Sequence, residues 1–111
     1  MYKVYFTKEA EKDLEGVYQF LEENDSKSIA DLILNKIEES CEKLGQFPDR
    51  GHFPPELKRI SMLEFREIHC NPFRIIYQVI SKNVFIHCIL DQKREISDLL
   101  HDRLIRPNTP R

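Results

Sequence analysis

The sequence predicts a single α+β domain of element order β-α-α-β-β-β-α. Three observations carry this. Residues 8–44 hold two apolar stripes at helical spacing, separated by a short polar break. Residues 65–90 hold three β-prone runs separated by two tight turns. Between these blocks lies a stretch rich in proline. Two helices facing an antiparallel meander bury one face of it, which is the α+β solution.

Tyr2 to Phe6 is a short strand, rich in β-prone aromatic and branched residues. Thr7 is placed to cap a first helix, with Glu9 and Glu11 in the turn where the helix dipole favours acids. Its stripe is Ala10, Leu14, Val17, Tyr18 and Leu21. Gly16 weakens this helix by about 1 kcal/mol relative to alanine, so a close neighbour is expected there. After Asn24-Asp25, Ser26 or Ser28 caps a second helix running to Leu44, with Ile29, Leu32 or Ile33, Ile37, Cys41 and Leu44 as its stripe. Gly45 stands where a left-handed residue ends helices. The loop 46–58 contains three prolines and Gly51, so no regular element is expected there, and Phe47 and Phe53 are its expected anchors.

The meander comes next. Its middle strand presents Phe73, Ile75, Tyr77 and Val79 on one face and Arg74, Ile76, Gln78 and Ile80 on the other. In the last strand Val84, Ile86, Cys88 and Leu90 share one face, with Phe85, His87 and Ile89 opposite. Asp91 is placed to cap a final helix with Ile96, Leu99, Leu100 and Leu104 as its stripe, lying at the sheet edge. Residues 2–104 form the core of the domain and 105–111 a frayed tail. The helical hairpin covers one sheet face. The other, less covered face is expected to hold Arg74, Gln78 and His87.

A chain of 111 residues is one domain, long enough to bury a core without staples. No apolar run approaches the ~18 residues of a membrane span, and the N-terminus lacks a signal-peptide pattern, so a cytoplasmic protein is expected. Cys41, Cys70 and Cys88 form no metal or disulfide spacing and are expected as reduced thiols. Residues 1–49 hold 6 Lys/Arg against 12 Asp/Glu, a balance of −6, and residues 50–111 hold 11 against 7, a balance of +4. An anionic partner is expected to meet the second half. His69-Cys70 and His87-Cys88 do not make a metal site, because neighbouring strand residues point to opposite faces. No metal and no cofactor are expected.

The helical hairpin, the Phe47-Pro48-x-Arg50-Gly51 loop, the Phe73-Arg74-Ile75-Ile76-Tyr77-Gln78-Val79 strand and the closing Lys93-Arg94-Glu95 together resemble the RelE/ParE superfamily of type II toxin–antitoxin toxins. The resemblance covers residues 2–104. It implies a growth-inhibiting toxin of the plasmid-stabilisation type, neutralised by a cognate antitoxin. It also implies one of two targets. ParE-like members poison DNA gyrase; RelE-like members cleave mRNA on the ribosome. In the RelE-like case Arg74 and Arg94 would hold the phosphate and His87 would be the candidate acid or base. That branch carries more basic residues on the strand before the turn, where this chain has Arg66, and a tyrosine on the last helix, where it has Leu100. The pI of about 6.1 is also low for a ribosome binder. The ParE-like reading is therefore preferred. The alternatives are the ribosome-dependent endonuclease and a non-toxic partner of the antitoxin. Candidate binding residues are Arg66 and Gln78 on the sheet, Arg50 and Phe53 in the loop, and Arg103 in the last helix. Arg74 has a competing structural reading, an ion pair with Glu67 or Asp91.

Overall fold

The computed structural model describes residues 1–92. The elements are β1 (Lys3–Phe6), α1 (Lys8–Asn24), α2 (Lys27–Glu42), a 3-10 turn (Lys43–Gly45), α3 (Pro55–Lys58), β2 (Phe65–Cys70), β3 (Phe73–Ile80) and β4 (Asn83–Asp91). This is the predicted β-α-α-β-β-β order with one short helix added. The final helix, and with it Arg94 and Arg103, lies outside the described residues.

The four strands form one sheet in the order β1-β4-β3-β2. β2, β3 and β4 are an antiparallel meander, and β1 joins the β4 edge in parallel. The caps agree with the sequence. Thr7 Oγ1 accepts from Ala10 N at 3.1 Å, and Ser26 Oγ accepts from Ile29 N at 3.2 Å. The helical hairpin buries Ala10, Ile37, Cys41 and Leu44 against Ile68, Phe73, Ile75, Tyr77, Val84, Ile86 and Ile89. Full burial of each large aliphatic side chain contributes about 1.5–3 kcal/mol. Burial pushes the Cys41 thiol up to about 12, so it behaves as a small inert hydrophobe.

Several expectations are corrected. Ile29 is exposed and Ala30 takes the inward position of α2, while of the alternatives Leu32 and Ile33 it is Ile33 that packs on the core. Gly45 has no positive φ. It is required instead by close approach, because an added Cβ would stand 2.8 Å from the Tyr2 carbonyl oxygen. Tyr2 N also donates to Gly45 O at 2.8 Å, which ties β1 to the end of the hairpin. Among the described residues, no atom outside its own helix backbone lies within 4 Å of a Cβ built on Gly16, so none of them packs closely there. Gly16→Ala is expected to stabilise the protein by about 0.5–1 kcal/mol, since only backbone freedom opposes the helix there. Urea denaturation measures this, and a destabilised variant would show that Gly16 has a close neighbour beyond the described residues.

The last strand does not keep simple alternation. Its register against β3 shifts between Ile76 and Tyr77, so that Tyr77 pairs with Ile86 and Ile76 with Cys88. His87 is the extra residue of a β-bulge, and it exchanges the faces of the residues after it. Val84, Ile86 and Ile89 meet the helical hairpin, whereas Cys88 and Leu90 turn to the opposite face. Asp13 of α1 meets the bulged strand, its Oδ2 accepting from Ile89 N at 3.0 Å.

That opposite face is not open. Leu57, Phe65, Ile76, Cys88 and Leu90 form a second small core there, with Met62 packed against it. The lid comes from the proline-rich segment, whose residues 55–58 form the one-turn helix α3. Pro55 begins it, a position where a missing N–H costs nothing.

Candidate functional site

The centre of the covered face is Arg74. Register places Arg74 of β3 opposite His69 of β2, with Glu67 two residues along on the same face. The Arg74 side chain is buried. Its Nε donates to Glu67 Oε2 and its Nη2 to Glu67 Oε1, both at 2.7 Å. Nη1 and Nη2 also donate to the two carboxylate oxygens of Glu56, both at 2.9 Å. One guanidinium thus holds two carboxylates, each bidentately. Glu67, one of the two partners considered for Arg74, pairs with it. Glu56, carried in by α3, is a second partner that was not expected from the sequence.

This pairing sets the electrostatics. Burial pushes the Glu67 carboxyl up, but the Arg74 and His69 hydrogen bonds outweigh it, and the group sits below the ordinary carboxylate range. The Arg74 hydrogen bonds hold Glu56 below that range too. Arg74 is raised by the same contacts and stays charged. Around this triad, His52, Pro55, Arg59, His69 and Gln92 complete a shallow cleft.

The other candidates are dispersed. Arg66 lies on the opposite sheet face, opposite Tyr77 in the register. Its Nη1 donates to Gly51 O at 2.8 Å, and its guanidinium stands 4.7 Å from the centre of the half-buried Phe53 ring. The loop there is fastened by Tyr77, whose hydroxyl donates to Pro48 O at 2.7 Å and accepts from Gly51 N at 2.9 Å. Phe47 is largely exposed and anchors nothing buried. Arg50 is exposed at the loop surface. His87 is buried, not presented to solvent; it stacks edge-on against Phe65 and bonds Gln78 Oε1 at 3.0 Å. Of Arg74, Arg66, Gln78 and His87, therefore, only the last two touch.

Sequence reasoning missed Glu56 and His52. The Pro54-Pro55-Glu56 step was a readable signal for a helix start and its acidic first turn. His52 had no such signal, because its position depends on an isolated bridge to β2.

A helical hairpin on a four-stranded mixed sheet, with the proline-rich loop folded over its β2 edge, is the architecture expected of the RelE/ParE superfamily. Within it, the chain belongs to the ParE toxin family of type II toxin–antitoxin systems, whose family model matches residues 4–96. Among solved structures, the chain is similar to one described as the chromosomal ParDE toxin–antitoxin system from P. aeruginosa. That likeness has a TM-score of 0.70 and 20% identity, and covers 82% of this chain and 96% of the other, which supports the fold. A copper-bound mutant toxin from Helicobacter pylori matches at a TM-score of 0.48 and 18% identity, over 82% of this chain and 94% of that one. A likeness that distant carries no argument about this chain. No curated protein matches the sequence significantly. Among the described residues no helix is long and apolar enough to cross a membrane.

Proposed function

We propose that this toxin acts by binding and poisoning DNA gyrase, and that a cognate antitoxin neutralises it by covering its surface. The observation that carries the target is the state of Arg74. A middle-strand arginine serves phosphoryl chemistry only if its donors reach the phosphate. Here they are consumed by Glu56 and Glu67, two carboxylates that would also repel a phosphate. Arg66 offers no replacement, because it lies on the other face. Membership of the ParE family supports the same reading. Exposed Ile29, Leu32 and Phe20 on the helical hairpin, with Phe47, Ile60 and Leu63 elsewhere, supply apolar surface for a protein partner. The loop with Arg50 and Phe53 and the C-terminal segment with Arg103 are the proposed gyrase contacts.

Purified toxin is expected to trap gyrase on DNA and to block supercoiling, and its expression without antitoxin to induce a DNA-damage response. Normal supercoiling at saturating toxin, together with cuts in translated mRNA at the ribosomal A site, would reverse the assignment in favour of the endonuclease. Harmless expression with neither effect would leave only the antitoxin-binding role.

A further inference from the structure

We propose that His52, Glu67 and His69 form a three-ligand site for a divalent transition-metal cation of the zinc type, bound through the two imidazole Nε2 atoms and one Glu67 oxygen. His52 lies in the loop that carries the proposed gyrase contacts Arg50 and Phe53, but the test reads metal binding directly and does not depend on those contacts.

The backbone brings the three residues together. Glu67 and His69 are two apart on β2 and project from the same face. His52 is the antiparallel bridge partner of Glu67, with His52 N donating to Glu67 O at 3.0 Å and Glu67 N donating to His52 O at 2.7 Å. Residues directly opposite in such a pair also share a face. One ligand atom from each of the three lies within 4.8 Å of the other two.

The separations suit a cation. Zinc binds histidine nitrogen and carboxylate oxygen at about 2.0–2.2 Å, so tetrahedral ligand atoms stand roughly 3.4 Å apart. His69 Nε2 is 2.7 Å from Glu67 Oε2, and His52 Nε2 is 4.0 Å from the same oxygen. These values bracket the required spacing. The first is explained without a metal, as a hydrogen bond. The second is too long for one: the backbone bridge brings His52 to Glu67, and its ring stands edge-on to His69 with centroids 5.2 Å apart, so both imidazoles meet beside the carboxylate. Both imidazoles are exposed at the rim, so small ring rotations close the difference and a fourth position faces water.

The surroundings select the kind of metal. Arg74 grips Glu67 and fixes the carboxylate, as outer partners of metal ligands do. Glu56, Glu67 and Arg74 together carry one negative charge, which Arg59 at the rim offsets. Affinity must then come from imidazole donation and not from a strong negative field. That favours zinc-like cations over magnesium or calcium, which need oxygen-rich sites. A bound ion would clamp the loop carrying His52 onto β2.

The test is calorimetric titration of the full chain with Zn2+, alongside its thermal unfolding. One Zn2+ per chain is expected, with a rise in Tm that Mg2+ does not produce. His52→Ala and His69→Ala, both at exposed positions, are expected to fold and to lose about tenfold or more in affinity. Cys70→Ser and His101→Gln, which remove other donors, are expected to bind as the unaltered chain does. Co2+ substitution is expected to give a spectrum of nitrogen and oxygen ligation without a thiolate charge-transfer band. Absence of Zn2+ binding, full affinity in the His52→Ala/His69→Ala double variant, or a thiolate band lost in Cys70→Ser would each overturn the proposal.

Discussion

Arg74→Ala is expected to destabilise the protein by about 3–5 kcal/mol, the largest loss from any single polar substitution in this fold. The reason is what remains behind. Glu67 is buried, and removing its guanidinium leaves an uncompensated carboxylate in a face sealed by Leu57, Phe65 and Ile76. Glu56 loses both its hydrogen bonds to Arg74 as well, and α3 then keeps only such packing over the second core as Leu57 supplies. Chemical denaturation at neutral pH measures the loss. A cost below about 1 kcal/mol would show that Glu67 finds water or His69 as an equivalent partner.

The same cluster sets a pH dependence. Glu56 and Glu67 are held below the ordinary carboxylate range in the folded protein. Their contribution is therefore complete above the unfolded value of about 4.3 and is lost as pH falls below it, through the folded values. In Arg74→Ala the sign reverses at Glu67, because an unpaired buried carboxyl is raised and folding then favours the proton. The stability gap between the two proteins should narrow as pH falls from neutrality toward 4. A gap that is constant over that range would place the loss in packing and not in charge.

Gly51→Ala is the second large effect, about 2–4 kcal/mol, combining overpacking with lost hydrogen bonds. A Cβ there would stand 2.7 Å from the Glu67 carbonyl oxygen and 2.7 Å from the Tyr77 hydroxyl. Neither can withdraw freely. The carbonyl accepts from His52 N, and the hydroxyl bridges Pro48 O and Gly51 N. The loop must lift, which breaks the Tyr77 bridge and the Arg66 bond to Gly51 O. Tyr77→Phe isolates one part, at about 1–3 kcal/mol for the bridge alone. The double variant is expected to cost less than the sum of the two, since both break the same contacts. Strict additivity would separate the glycine from the tyrosine.

Much of the fold was readable because it rests on local chemistry. Thr7 and Ser26 cap their helices through side-chain oxygens a few residues from the N–H groups they satisfy, and sequence spacing reports that directly. The apolar face of β3 was equally plain from alternation. The last strand was not, because the His87 bulge breaks the period of two that such a reading assumes. The loop was misread for a related reason. Phe47 was expected as an anchor on hydrophobicity alone, whereas the fastening comes from Tyr77, 29 residues away from its Pro48 acceptor.

The candidate site divides along the same line. Sequence by itself determined the α+β class, the helical hairpin and an arginine on the mixed face of the middle strand, since propensity, capping and periodicity are properties of neighbouring residues. The tertiary structure alone decided which charges meet. It paired Arg74 with Glu56, placed Arg66 on the opposite face, and set His52 beside Glu67. Coulomb energy depends on separation in space, and register, a bulge and the course of one loop determine that separation between residues far apart in the chain.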